Sequence, residues 1–115
     1  MNKSELEKKI ELHAKWLADH QDGVRADLTD ADLTGANLRS SDLQSAVLRR
    51  ADLQYADLSD ADLRRADLTG ANLSDAHLSG ADLSGADLSD AVLLLIRVPP
   101  SHDGQGKNKN EKMRK

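Results

Sequence analysis

Residues 26–93 read ADLTD ADLTG ANLRS SDLQS AVLRR ADLQY ADLSD ADLRR ADLTG ANLSD AHLSG ADLSG ADLSD AVL, and one rule runs through all of them. Leucine holds every fifth position from Leu28 to Leu93, fourteen times without a miss. Alanine stands two residues earlier each time, Ser41 excepted. The residue between is Asp or Asn, except at Val47, His77 and Val92. A repeat this regular fixes the architecture before any local reading of helix or strand. On an α-helix five residues advance by roughly 140° net, so the leucines would spiral around the axis and form no stripe. In a continuous strand an odd spacing would send alternate leucines to opposite faces. Neither regular element buries the set.

The pattern closes if each unit is a short extended piece followed by a corner. Within A-D-L the alanine and leucine share one face and the Asp points outward. The last two positions are Thr, Ser, Gly, Asp, Arg or Gln in most units, largely residues that suit turns. Every Ala–Leu pair then faces one axis, and successive coils pair about 4.8 Å apart. Three units per coil would stack Arg50 on Arg65 and Arg49 on Arg64. Four per coil instead place Arg50 between Asp30 and Gly70, Arg65 between Ser45 and Gly85, and Tyr55 between Gly35 and Asp75. Large side chains then lie over small or oppositely charged ones, which cross-strand pairing favours. One column resists, because Asp42, Asp62 and Asp82 would stack as three like charges. Four per coil is the reading adopted.

The tandem A-(D/N)-L-x-x unit resembles the pentapeptide-repeat family, over 70 of the 115 residues. That resemblance implies an all-β solenoid, a right-handed quadrilateral parallel β-helix with the leucine as central inward residue and the alanine as the second. Ser41 would put a hydroxyl inside, and Val47, His77 and Val92 replace the usual Asp or Asn. Fourteen units make about three and a half coils, a rod roughly 17 Å long at the sheet spacing. Its two open ends need caps.

The expected organisation is an amphipathic capping helix over 1–23, the repeat rod with an apolar end over 24–98, and a disordered basic tail over 99–115. Ser4 and Glu7 have the spacing of a capping box. Leu6, Ile10, His13 and Leu17 follow at helical intervals, Gly23 offers a stop, and Trp16 is expected to anchor the helix on the first coil. The helix charges nearly cancel, so a membrane surface is not its expected partner. After Asp90, Leu94, Leu95 and Ile96 fill positions that are polar in the earlier coils. They are read as a C-terminal cap or a contact with a second copy of the chain. Pro99 and Pro100 end any ladder. The tail, with its Lys107–Asn110 run, cannot build a core.

The net charge of −4 conceals an asymmetry: residues 26–93 carry net −8 and residues 97–115 net +4. Cysteine is absent, which excludes disulfides and thiolate chemistry. The N-terminus lacks the apolar core of a signal peptide and no segment is long enough to span a membrane, so a cytoplasmic protein is expected. No convergent catalytic set is visible: the four histidines are scattered, and no nucleophile elbow or phosphate-binding loop occurs. The reading is therefore non-catalytic, with no cofactor and no catalytic or metal residues. A rigid scaffold would bind an unidentified protein through Arg49, Arg50, Arg64 and Arg65 beside Asp42, Asp62 and Asp82. That carboxylate column is also where a calcium ion would bridge coils. The family resemblance supplies the alternative: some members mimic duplex DNA and bind DNA gyrase. Direct nucleic-acid binding is not expected.

Overall fold

In a computed structural model the described residues are 1–94. Leu95, Ile96 and the tail expected to be disordered lie outside them. A single helix, α1 (Lys3–Leu17), precedes the repeats. The repeats then pair by isolated parallel bridges, and every bridge joins residues twenty apart, from Asp27↔Val47 to Asn72↔Val92. Twenty residues per coil is four units per coil, as the charge-stacking argument expects. Asp30 and Arg50 meet at 2.8 Å, and a Cβ added at Gly70 or Gly85 would lie 3.2 Å from the Cγ of Arg50 or Arg65.

The corner has a common conformation. In every repeat from Asp30 to Asp90 the fifth residue has positive φ, between 56° and 74°. The next alanine (Ser41 in one repeat) donates its N–H to the leucine carbonyl three residues back, at 2.9–3.2 Å. Positive φ at the third turn residue and not the second is the pattern of a type II turn. Nine of these thirteen corners are not glycine, Arg50, Tyr55 and Arg65 among them. Each such residue costs roughly 1 kcal/mol of backbone strain. The ladder offsets it.

How completely it does so is visible in repeat 51–55. Leu53 N–H donates to Asn72 C=O at 2.7 Å, and Tyr55 N–H to Ser74 C=O at 3.1 Å. Asp52 N–H reaches back to Ala31 C=O at 2.9 Å, while Ala51 C=O accepts from Asn72 N–H. The one N–H that the ladder cannot serve, on Gln54, is taken by the Asp52 carboxylate at 3.1 Å. That explains the Asp or Asn before each leucine. The Oδ1 of Asp or Asn accepts the N–H two residues on in eleven repeats, from Asp27 and Asp32 through Asn72 to Asp87. Val47, His77 and Val92 offer no such oxygen.

Leucines 28–73 and alanines 46–76 fill the axis, all at 2% exposure or less. A fully buried leucine is worth about 1.5–3 kcal/mol. The column thins toward the far end: Leu83 and Leu88 are half-buried and Leu93 is 42% exposed.

Two sequence expectations about α1 are corrected. The N-cap is Asn2, whose Oδ1 takes Glu5 N–H at 2.8 Å while the Glu5 carboxylate takes Asn2 N–H at 3.3 Å. The capping box is therefore Asn2/Glu5 and not Ser4/Glu7, since asparagine caps as well as serine and stands a half-turn earlier. The helix also ends at Leu17, with Asp19 in the left-handed region, well before Gly23. Gly23 has another duty: a Cβ there would run into the backbone of Lys15 and Trp16, so glycine lets the chain fold back against the helix end.

Leu58→Ala is expected to cost about 3 kcal/mol in urea unfolding, and Tyr55→Ala, at 60% exposure, under about 0.5 kcal/mol. His77→Asn should gain about 0.5–1 kcal/mol in the same assay by giving Ser79 N–H the oxygen it lacks; unchanged or lowered stability would refute that role for the Asp/Asn position.

Candidate interaction surfaces

The walls of the rod are set by the coil register. Residues 26–30, 46–50, 66–70 and 86–90 stack as one wall, and residues 41–45, 61–65 and 81–85 as the wall that precedes it in each coil. Arg49 and Arg50 therefore lie on the first wall, and Arg64 and Arg65 on the adjacent one, all four within the coil 46–65. The sequence groups them, and the fold keeps them together on two neighbouring walls.

Four of the five rod arginines are tied to carboxylates of a neighbouring coil. Arg50 grips Asp30 in the coil before through Nε at 2.8 Å and a terminal nitrogen at 3.2 Å. Arg49 reaches Asp67 at 2.9 Å and Arg39 reaches Asp57 at 3.3 Å, each eighteen residues on. Arg64 holds Asp62 through Nε at 2.9 Å and a terminal nitrogen at 2.8 Å, and its Nε lies 4.0 Å from Asp82. Arg65 has no ion pair among the described residues. These pairs are solvent-exposed, and such pairs add little to stability. Their effect is to hold long side chains in fixed places.

The Asp42–Asp62–Asp82 column forms as expected, by bridges from 42 to 62 and from 62 to 82. Like charges are nonetheless kept apart in purpose. The Arg64 guanidinium hydrogen-bonds Asp62 and holds its carboxyl below the ordinary aspartate range, against some burial. Asp82 is lowered chiefly by the Ser84 hydroxyl and N–H, with Arg64 assisting and Asp62 opposing. Asp42 is bonded by the Gln44 amide at 3.0 Å. Each carboxylate is already engaged, and an arginine occupies the space where a calcium ion would bridge. No cluster of possible metal ligands occurs among the described residues.

Ser59 is one of the buried polar residues of the rod. A surface substitution there reads as harmless from the sequence, yet Ser59 is 8% exposed. Its N–H donates to Asp57 at 3.0 Å, and the same carboxylate takes Arg39 from the neighbouring coil. Ser59 C=O also accepts Ser40 N–H at 2.9 Å from the neighbouring coil, a tie that no local pattern reveals. Ser59→Asp would set a second carboxylate beside Asp57.

At the N-terminal end Trp16 is not the anchor. It is 38% exposed, stacked on His13 with ring centroids 5.4 Å apart, and carries the Arg25 guanidinium 5.6 Å from its ring. The buried members of α1 are Leu6 and His13, with Ile10 packed beside them. His13, at 0% exposure, accepts Ala26 N–H on Nδ1 at 2.9 Å and bonds Gln44 C=O through Nε2 at 2.8 Å. Its spacing in the apolar stripe of α1 was the available signal. At the other end Val92, Leu93 and Leu94 are 40%, 42% and 67% exposed. Leu94 C=O still accepts Asp75 N–H at 3.0 Å. Among the described residues no helix is long and apolar enough to cross a membrane.

A family model described as pentapeptide repeats (8 copies) matches residues 26–65 and 56–93. Among solved structures, HetL is a pentapeptide repeat protein involved in heterocyst differentiation regulation from the cyanobacterium Nostoc sp. strain PCC 7120. It is 44% identical, with 62% of this chain and 35% of that chain covered and a TM-score of 0.44. A pentapeptide repeat protein from the cyanobacterium Cyanothece 51142 is 38% identical, covering 64% of this chain and 60% of that one at a TM-score of 0.31. Another, from Nostoc PCC 7120, is 32% identical over 70% of this chain and 71% of that one, at 0.24. The chain spans about a third of the length of HetL. No curated protein matches.

Arg64→Ala should return the Asp62 carboxyl toward the ordinary aspartate value of 3.8. The lowered carboxyl stabilises the fold above that value, and the contribution disappears as pH falls through the depressed one. Carbon-detected NMR titration is expected to move Asp62 upward in the variant and leave Asp87, held by Ser89, in place.

Proposed function

Because this chain belongs to the pentapeptide-repeat family, whose members fold as right-handed quadrilateral β-helices, we propose that it is a non-catalytic, rigid scaffold that binds a protein partner through its walls. The observation that carries the reading is the arginine girdle of the coil 46–65. Three of its four arginines are fixed by carboxylates, and Arg65 has no ion pair among the described residues. An ordered array of charge on a stiff backbone recognises a partner with little loss of side-chain freedom. Among the described residues nothing on these walls converges on a reacting atom: the leucines fill the interior, His13 is spent on two backbone groups, and His77 is exposed. A second copy meeting at the C-terminal apolar end of the sequence, Leu94, Leu95 and Ile96, is the homodimer this reading allows.

The wall made of 31–35, 51–55, 71–75 and 91–94 favours a second reading, a surface that imitates duplex DNA toward a DNA-binding enzyme such as gyrase. It carries Asp32, Asp52 and Asp75 and no cation. DNA presents about one charge per 1.7 Å, or roughly 10 over a 17 Å rod, against the net −8 here. The arginines on the other walls, and a length under four coils, weigh for the scaffold.

Reversing Arg49, Arg50, Arg64 and Arg65 to Glu is expected to abolish capture of the native partner in a protein that circular dichroism shows to be still folded. Retention of every partner by the reversed protein sinks the scaffold interface. Inhibition of gyrase supercoiling at micromolar protein would instead favour the second reading.

A further inference from the structure

The first coil has no predecessor, and its edge must be satisfied from elsewhere. In the later repeats the alanine or serine N–H finds the leucine carbonyl three residues back, as Ala31 finds Leu28 at 3.1 Å. For Ala26 that position is Gly23, and the acceptor is Nδ1 of His13. Likewise Gln54 C=O accepts Gly35 N–H from the preceding coil, whereas Gln44 C=O has no preceding coil and takes the Nε2–H of the same imidazole. One side chain thus supplies both an acceptor and a donor that a missing repeat would have supplied. Only the neutral Nε2–H tautomer can do both, because Nδ1 must hold a lone pair toward Ala26.

We propose that His13 is a proton-sensitive latch: protonating its ring breaks the Ala26 contact and releases α1 from the first coil, uncovering the apolar end beneath Leu6 and Ile10. A proton on Nδ1 would face the Ala26 N–H, donor against donor, in a site closed to water. Among the described residues no carboxylate hydrogen-bonds the ring. Lys9 is engaged with Asp27 C=O at 3.4 Å, and Arg25 lies over Trp16 while its Nε bonds Ser45 C=O at 2.8 Å. The Asp27 and Asp42 carboxylates are turned to Thr29 and Gln44. A proton added on Nδ1 therefore finds no acceptor. The latched state holds no proton on Nδ1 and the released state is free to take one, so release is coupled to proton uptake and lowering the pH favours it. In the repeats the Asp27, Asp32, Asp57, Asp67, Asp82 and Asp87 carboxyls are held below 3.8 by the hydroxyls and N–H groups they accept from.

The test is hydrogen exchange of the full chain between about pH 8 and about pH 5, together with the emission of Trp16, the sole tryptophan, which stacks on the latch. Protection factors of the α1 amides are expected to fall as the pH is lowered, by up to about tenfold per unit, while those of residues 46–76 hold. His13→Gln, whose amide both donates and accepts but does not titrate, should abolish the pH dependence. The His20→Gln/His77→Gln double variant should retain it. The latch is overturned by α1 protection that does not change with pH, by an unchanged transition in His13→Gln, or by its loss in the double variant. If His13→Gln never closes, ¹⁵N NMR of the wild-type ring decides. Neutral Nε2–H at high pH that becomes protonated together with helix release supports the latch, and protonation with the helix still protected refutes it.

Discussion

One backbone bond governs this molecule: the leucine N–H donating across to the carbonyl nineteen residues on, at 2.7–2.8 Å from Leu28 through Leu73. It is as short at the start of the rod as near its end. It fixes the coil at twenty residues, and through the coil it decides which side chains share a wall. The left-handed corner is its counterpart. Without positive φ at every fifth residue the chain would not turn in time to present the next leucine N–H to its acceptor. The strain at Arg50, Tyr55 and Arg65 persists because ladder bonds on both sides over-determine those residues.

A stack held this way has a difficulty only at its ends. Inside, each repeat satisfies its neighbours, and the Asp or Asn side chain closes the one N–H the ladder misses. At the first coil that reciprocity fails, and α1 supplies both an apolar cover through Leu6 and Ile10 and polar replacements through His13, Lys9 and Arg25. Lys9 and His13 each serve a main-chain carbonyl, of Asp27 and Gln44, whose counterparts in later repeats accept from the preceding coil, and Arg25 takes the Ser45 carbonyl at a corner. The cap is thus a continuation of the ladder by other means. Its polar half rests on a titratable ring, which separates the stability of the cap from that of the repeats.

The exterior follows from the same register. An arginine at the fourth position of a repeat reaches the carboxylate eighteen residues on, as Arg39, Arg49 and Arg64 do, because the next coil places that Asp beside it. An arginine at the fifth position lies over the corner above and below it, as Arg50 does on Asp30 and Gly70. The column of three aspartates is tolerated because an arginine is threaded through it. The charge on this rod is arranged by the fold into fixed pairs, and the surface a partner meets is an ordered one.

The five-residue period determined the inward leucines and alanines, and the charges at the fourth and fifth positions chose the coil of four units, which fixes the pairing of Arg50 with Asp30 and the stacking of Asp42, Asp62 and Asp82. All of these follow from counting along a chain whose units are alike. What only the tertiary structure decided lies where the units stop being alike. Asn2 rather than Ser4 begins α1, Gly23 serves close packing rather than helix termination, and Ser59 is covered at a corner that looks exposed. His13 rather than Trp16 joins α1 to the rod, because the groups needing a partner, Ala26 N–H and Gln44 C=O, are thirteen and thirty-one residues away from it. A repeat states what surrounds its interior members, but it is silent about its boundary, where unlike segments must meet the hydrogen-bonding demands the missing neighbour leaves open.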